Sequence, residues 1–121
     1  MSQAVVSAIA FDCHQPDALG VFWQAMLGGE LVLYPQYGVV ALRAPGITID
    51  FTLVPESKQT KNRLHVDLAT TDPATTVAKA VELGAVITTE FHKHTALRDP
   101  EGNEFCVLHD MPAERPWQPP S

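Results

Sequence analysis

Residues 64–84, LHVDLATTDPATTVAKAVELG, restart a pattern that the chain has already run once over residues 5–28, VVSAIAFDCHQPDALGVFWQAMLG. In the later copy Leu64, Val66 and Leu68 alternate with His65, Asp67 and Ala69, the period of a strand with one apolar face. Asp72 stands where a helix N-cap belongs, Pro73 suits the first helical position, and Ala74, Val77, Ala78 and Val81 predict an apolar stripe that stops at Leu83-Gly84. The earlier copy has the same order. Ile9 and Phe11 alternate with Ala8, Ala10 and Asp12; Pro16 opens a helix; Leu19, Phe22, Trp23 and Met26 fall at i, i+3, i+4 and i+7; and Gly28-Gly29 ends it.

Working outward, three short strands fit between Leu31 and Val54, with turns at Pro35-Gln36-Tyr37-Gly38 and Ala44-Pro45-Gly46. Residues 55–62 carry Pro, Ser, Lys, Gln and Thr with few apolar side chains, which reads as a linker. The last strands also match, Asp50-Phe51-Thr52-Leu53-Val54 against Glu104-Phe105-Cys106-Val107-Leu108. Agreement in order, stop signals and period argues for a duplicated βαβββ unit over chance similarity of short amphipathic segments, neither copy burying its face alone. The expected organisation is one α+β domain over 1–110, with module one at 4–54, the linker at 55–62, module two at 63–109 and a Pro-rich tail at 111–121. Trp117 in that tail is read as part of a frayed terminus rather than an anchor.

The chain has 121 residues, enough for one core, with 45% hydrophobic and 18% charged residues, as in ordinary globular proteins. A net charge of −6 with eight scattered Lys and Arg lacks the basic footprint of a nucleic-acid binder. No run is apolar enough to cross a bilayer and the Met-Ser-Gln-Ala start does not resemble a signal peptide, so a cytoplasmic protein with no membrane partner is expected. Cys13 and Cys106 are expected as free thiols. Serine-hydrolase elbows, P-loops, dinucleotide fingerprints and zincin motifs are absent.

Phe22-Trp23 with Leu27-Gly28, the stretch Lys61-Asn62-Arg63-Leu64-His65-Val66-Asp67, and Arg98-Asp99-Pro100-Glu101-Gly102-Asn103-Glu104-Phe105 together resemble the glyoxalase/bleomycin-resistance/dioxygenase (vicinal oxygen chelate) superfamily, over roughly residues 5–108. The Asp-Pro-Glu-Gly-Asn turn is the most specific piece: Pro presets a turn, and Gly-Asn is expected to supply positive φ before a strand. The resemblance implies a curved sheet from each module, edge-to-edge pairing, helices outside, and one small-molecule cavity between the concave faces. Ile9, Phe11, Phe51, Leu53, Leu64, Val66, Leu68, Phe105 and Val107 would then form the sheet-to-helix core.

The opposite face carries Asp12, Asp50, Thr52, Arg63, His65, Asp67, Glu104 and Cys106, and the expected ligand-binding set is Asp12, Asp50, Thr52, Arg63, His65, Asp67, His94 and Cys106. Several of these would be solvated at strand ends. His94 joins them because it precedes the Asp-Pro-Glu-Gly-Asn turn near the expected cavity mouth; His92, His14 and His109 read as surface or capping residues. In metal-dependent relatives a divalent ion is held by one residue from the first and last strand of each module, and by resemblance those places are Ala8, Thr52, His65 and Cys106. Ala8 contributes no ligand, so no metal cofactor is expected; if one binds, His65 and Cys106 are its ligands, with Asp12, Asp50, Asp67 or Glu104 as a third. Cys106 facing His65 also raises the reading of an activated thiol, against the commoner inert one. The favoured function is binding of a small organic molecule in the cavity between the modules, for sequestration or resistance; the alternative is a lyase, isomerase or dioxygenase-like enzyme, with His65, Asp67 and Glu104 as its candidate catalytic residues. A homodimer is the expected assembly.

Overall fold

The computed structural model describes residues 3–110 and 113–120. Module one runs β1 (Ile9–Cys13), α1 (Pro16–Leu27), β2 (Glu30–Tyr34), β3 (Val39–Ala44) and β4 (Ile47–Leu53), with a single 3-10 turn at Pro35–Tyr37. Module two runs β5 (Val66–Leu68), α2 (Pro73–Glu82), β6 (Val86–Glu90), β7 (His94–Arg98) and β8 (Glu104–Leu108). Each forms a four-stranded mixed sheet, ordered β1-β4-β3-β2 and β5-β8-β7-β6, with the first strand parallel to the last and the others antiparallel. This is the α+β arrangement of two βαβββ modules that the repeat predicts.

In α1, Leu19, Phe22 and Trp23 are buried and Met26 half-buried, as the stripe requires, against Leu42, Ile49 and Phe51 of the first sheet. Pro16 sits in the first turn, where its missing N–H costs nothing, and Gly28 closes the helix at φ 74°. Gly29 follows at φ 100°, and a Cβ there would fall on the Arg43 carbonyl, so only glycine lets the chain turn back under β3.

In α2 the helix is rotated from expectation. Ala80 is buried and Pro73, Thr76 and Val77 half-buried, while Ala74, Ala78 and Val81 are exposed. The cap sets this rotation. Asp72 accepts from the Thr75 N–H and Thr75 Oγ1, and Thr76 Oγ1 reaches Thr70 Oγ1, which turns the 73-76-77-80 face inward. Two core expectations also fail: Leu53, the last residue of β4, and Leu64, which precedes β5 because that strand begins only at Val66, are more than half exposed. Phe51, Phe105 and Val107 are fully buried, with Ile9, Phe11, Val66 and Leu68 partly so.

The two modules join through α1. The Trp23 ring contacts Phe11 and Phe22 of its own module and also Phe105 on β8, at centroid distances of 5.8, 5.3 and 5.0 Å. Its indole N–H donates to Asp99 Oδ2 at 3.0 Å. Glu101 accepts from the His14 and Gln15 N–H groups at 2.7 and 2.8 Å, supplying the cap that the Gln15 side chain does not, and Lys79 donates to the Ala25 carbonyl at the other end of the helix. The Asp-Pro-Glu-Gly-Asn turn is therefore a latch onto α1 as well as part of the rim of the cleft over the second sheet.

Within that turn only Gly102 has positive φ, at 89°. Asn103, expected to share that role, instead donates its backbone N–H and side-chain amide to the buried Asp99 carboxylate. The expectation for the tail falls in part on Met111, Pro112 and Ser121, which lie outside the described residues; Trp117 is exposed.

Candidate functional site

Pleating decides which side chains look away from the helices. Val66 pairs with Phe105, and Phe105 with Leu97, on the helix side, so the neighbouring positions Asp67, Cys106 and Ala96 line up on the opposite face of the second sheet. His65, Asp67 and Cys106 come together there, each offering a ligand atom within 4.8 Å of the others, with His65 Nε2 and Asp67 Oδ1 3.3 Å apart. His65 and Asp67 are exposed and Cys106 half-buried.

Above this face lies a cleft of about 720 Å³. Ala96 and Cys106 form a low floor, His94 and Phe91 one end, Arg98 and Glu104 the other, and the linker residues 58–61 a wall. The wall is fastened: Lys58 pairs with Glu104 Oε1 at 3.0 Å, the Asn62 N–H donates to Glu104 Oε2 at 2.9 Å, and Asn62 Nδ2 donates to Asn103. Burial raises the Glu104 carboxyl, but the Asn62 N–H and the Lys58 ammonium outweigh it and hold the group below its ordinary range.

The linker changes the expected layout. In place of one cavity between two sheet faces, it separates this cleft from a second, of about 450 Å³, between β1 and the linker. The anticipated residues divide accordingly. His65, His94 and Cys106 line the first cleft, Asp12 and Arg63 the second, and Asp67 a third beside the end of α1. Asp50 and Thr52 are half-buried on the first sheet beside Ala41 and Val39.

Strand pairing also moves one equivalence. Ala8 and His65 each stand eight residues before a helix-opening proline, which aligns Ile9 with Val66. Ile9 pairs with Ile49 and Val66 with Phe105, so the first-sheet counterpart of Cys106 is Asp50, not Thr52.

The thiols are poorly nucleophilic. Burial, helped by Asp67, raises Cys106 above the usual thiol value despite Lys61. Burial and the Glu101, Asp99 and Asp12 carboxylates push Cys13 up to about 12. In an alkylation time course followed by mass spectrometry at pH 8, Cys106 is expected to label first, more slowly than a free thiol, and Cys13 at least roughly tenfold more slowly still. Equal labelling of both in folded protein would contradict this geometry.

The remaining histidines hold the frame. His109 bridges Thr95 Oγ1 and the His92 carbonyl, and His14 contacts the Pro55 carbonyl. Sequence reading missed Phe91, Lys61, Ala96 and Arg98; the available signal was an aromatic in an otherwise polar turn, Phe91, which stacks on His94 at 4.5 Å and 26°.

Paired βαβββ modules, each with a four-stranded mixed sheet, define the fold class, and comparison with known proteins identifies the family. A model of the glyoxalase-like domain matches residues 8–108, and the chain belongs to that family. Among solved structures it is similar to the fosfomycin resistance protein FosX from Listeria monocytogenes, in a mutant complexed with Mn(II) and 1S,2S-dihydroxypropylphosphonic acid (TM-score 0.76, 13% identity, 91% of this chain and 93% of that one). It is also similar to FosX from Mesorhizobium loti (0.73, 9%, 91% and 94%). A glyoxalase/bleomycin resistance protein/dioxygenase family enzyme from Burkholderia phytofirmans PsJN aligns at 0.69, with 21% identity over 86% and 97%. Comparison with the curated proteins finds no match. No helix among the described residues is long and apolar enough to cross a membrane.

Proposed function

We propose that this chain binds a small organic molecule in the cleft over the second sheet, as a cytoplasmic homodimer used for sequestration or resistance. The observation that carries this reading is the low Ala96–Cys106 floor between an aromatic end and a charged end, roofed on one side by the fastened linker: a concave site with a small-residue floor and polar groups around it. The test is a thermal-shift screen of a library spanning acids, bases and neutral compounds, repeated on Ala96→Trp, which fills the floor. A ligand at a hundred times its Kd stabilises the fold by about 2.7 kcal/mol. Ligand-induced shifts present in the parent and lost in Ala96→Trp are expected; shifts that survive the substitution, or none from the whole library, would refute the reading.

A second reading, a lyase, isomerase or dioxygenase-like enzyme, is favoured by the His65–Asp67–Cys106 cluster. Its imidazole, carboxylate and thiol are a donor set that suits a three-ligand divalent centre with an open position, and the three atoms are close enough to share one ion. A metal held by them would act as a Lewis acid on a bound oxygen. His65, Asp67 and Cys106 would hold it, while Glu104 stays tied to the linker. Protein purified without chelator is expected, on this reading, to carry near-stoichiometric metal that His65→Ala loses; no metal in either protein would remove it.

A further inference from the structure

The charge of the first cleft runs against that of the whole chain, which is −6. Three cations, Lys58, Lys61 and Arg98, border it with two carboxylates, and both carboxylates are engaged: Glu104 by Lys58 and the Asn62 N–H, Glu101 by the N–H groups that open α1. Among the described residues neither Lys61 nor Arg98 has an ion-pair partner. Their end of the cleft therefore presents uncommitted positive charge in a partly enclosed site, where an anion gains more than it would on open surface.

The other end differs in kind. Phe91 lies against His94, the rings nearly parallel, and both border the cleft. His94 and Arg98 are the two ends of β7, about 13 Å apart by strand rise. Between them the floor is Ala96 beside Cys106, too short to interrupt a flat molecule laid along the strand.

We infer that the ligand is an elongated, planar aromatic anion, its ring against Phe91–His94 and its carboxylate or other oxyanion toward Arg98 and Lys61. This rests on the proposal that the cleft is the binding site. A guanidinium offers paired donors to an oxyanion, and an aromatic pair offers a stacking surface, so each end selects one half of the ligand.

The test is a titration of the full chain, ¹⁵N-labelled, with four probes: trans-cinnamate, cinnamamide, hexanoate and 3-phenylpropylammonium, reading the amide shifts of Ala96 and Cys106. Cinnamate is expected to bind roughly tenfold more tightly than the amide and to weaken with added salt. Arg98→Gln should lower cinnamate affinity about fivefold or more while leaving the amide unchanged, and Phe91→Ser should weaken cinnamate but not hexanoate. Arg43→Gln, on the first sheet and bordering neither cleft, should change neither. Equal binding of cinnamate and cinnamamide, or preference for the ammonium probe, would overturn the ligand class and leave the cleft as the binding site. Silence of both amides toward all four probes would overturn the ligand class together with the site.

Discussion

Replacing Trp23 with alanine is expected to lower the free energy of unfolding by roughly 3–5 kcal/mol, a large part of the about 5–15 kcal/mol typical of a domain. Trp23 is fully buried and touches both modules: Phe11 and Phe22 on one side, Phe105 on the other, with its N–H on Asp99. Its removal leaves a cavity where the two sheets share a core, and it strands a buried acceptor. Urea unfolding followed by circular dichroism measures the loss. Trp23→Phe separates its parts, keeping most of the ring packing while deleting the N–H, and is expected to cost about 1–3 kcal/mol. A loss below about 1 kcal/mol in the alanine variant would mean that the modules hold together without this contact.

Asp99 carries the second large effect. Its carboxylate is buried and accepts from Trp23 Nε1, from the backbone N–H groups of Glu101 and Asn103, and from the Asn103 amide. Asp99→Ala leaves these donors without an acceptor in a dry site and is expected to cost about 3 kcal/mol or more. Asp99→Asn is milder. Its single oxygen can keep the Glu101 and Asn103 N–H groups that converge on Oδ1, while its NH2 then opposes the Trp23 N–H, so the cost falls on the contact between modules.

The pH dependence has a definite sign. Burial raises the Asp99 carboxyl above its ordinary value of 3.8, against the lowering effect of its hydrogen bonds. The native state thus holds this proton more tightly than the unfolded chain, and the Asp99 contribution to stability declines as pH rises from 3.8 to the raised native value, then stays level. Asp72 and Glu104 act oppositely: both are lowered, by Thr75 for the first and by Asn62 and Lys58 for the second, and their stabilisation is lost as pH falls. Subtracting the stability profile of Asp99→Asn from that of the parent isolates the first term. A difference that rises with pH across this window would contradict the assigned burial.

How much was legible in the sequence differs from element to element. The α1 stripe was readable because Leu19, Phe22, Trp23 and Met26 all face one large core, whereas α2 was misread because its buried face rests on Thr76 and Ala80, whose orientation comes from the Thr70 and Asp72 hydrogen bonds and not from hydrophobicity. The site was half legible. His65, Asp67 and Cys106 were selected by alternation within strands, but Lys61 and Arg98 look like ordinary surface cations, and Ala96 like an ordinary strand alanine.

The sequence alone determined the duplicated βαβββ plan, the first helix and the polar face of the second sheet, since each follows from local periodicity and from Pro and Gly punctuation that neighbours in the chain can read. Tertiary structure decided what depends on partners far apart in sequence. These are the register that makes Asp50, not Thr52, the first-sheet counterpart of Cys106, the linker fastened through Glu104 across the open face, and the Asp99–Trp23 latch that turned a hairpin motif into the joint between modules. Such pairings are fixed only when the chain closes its long loops, and no window of local sequence contains both members.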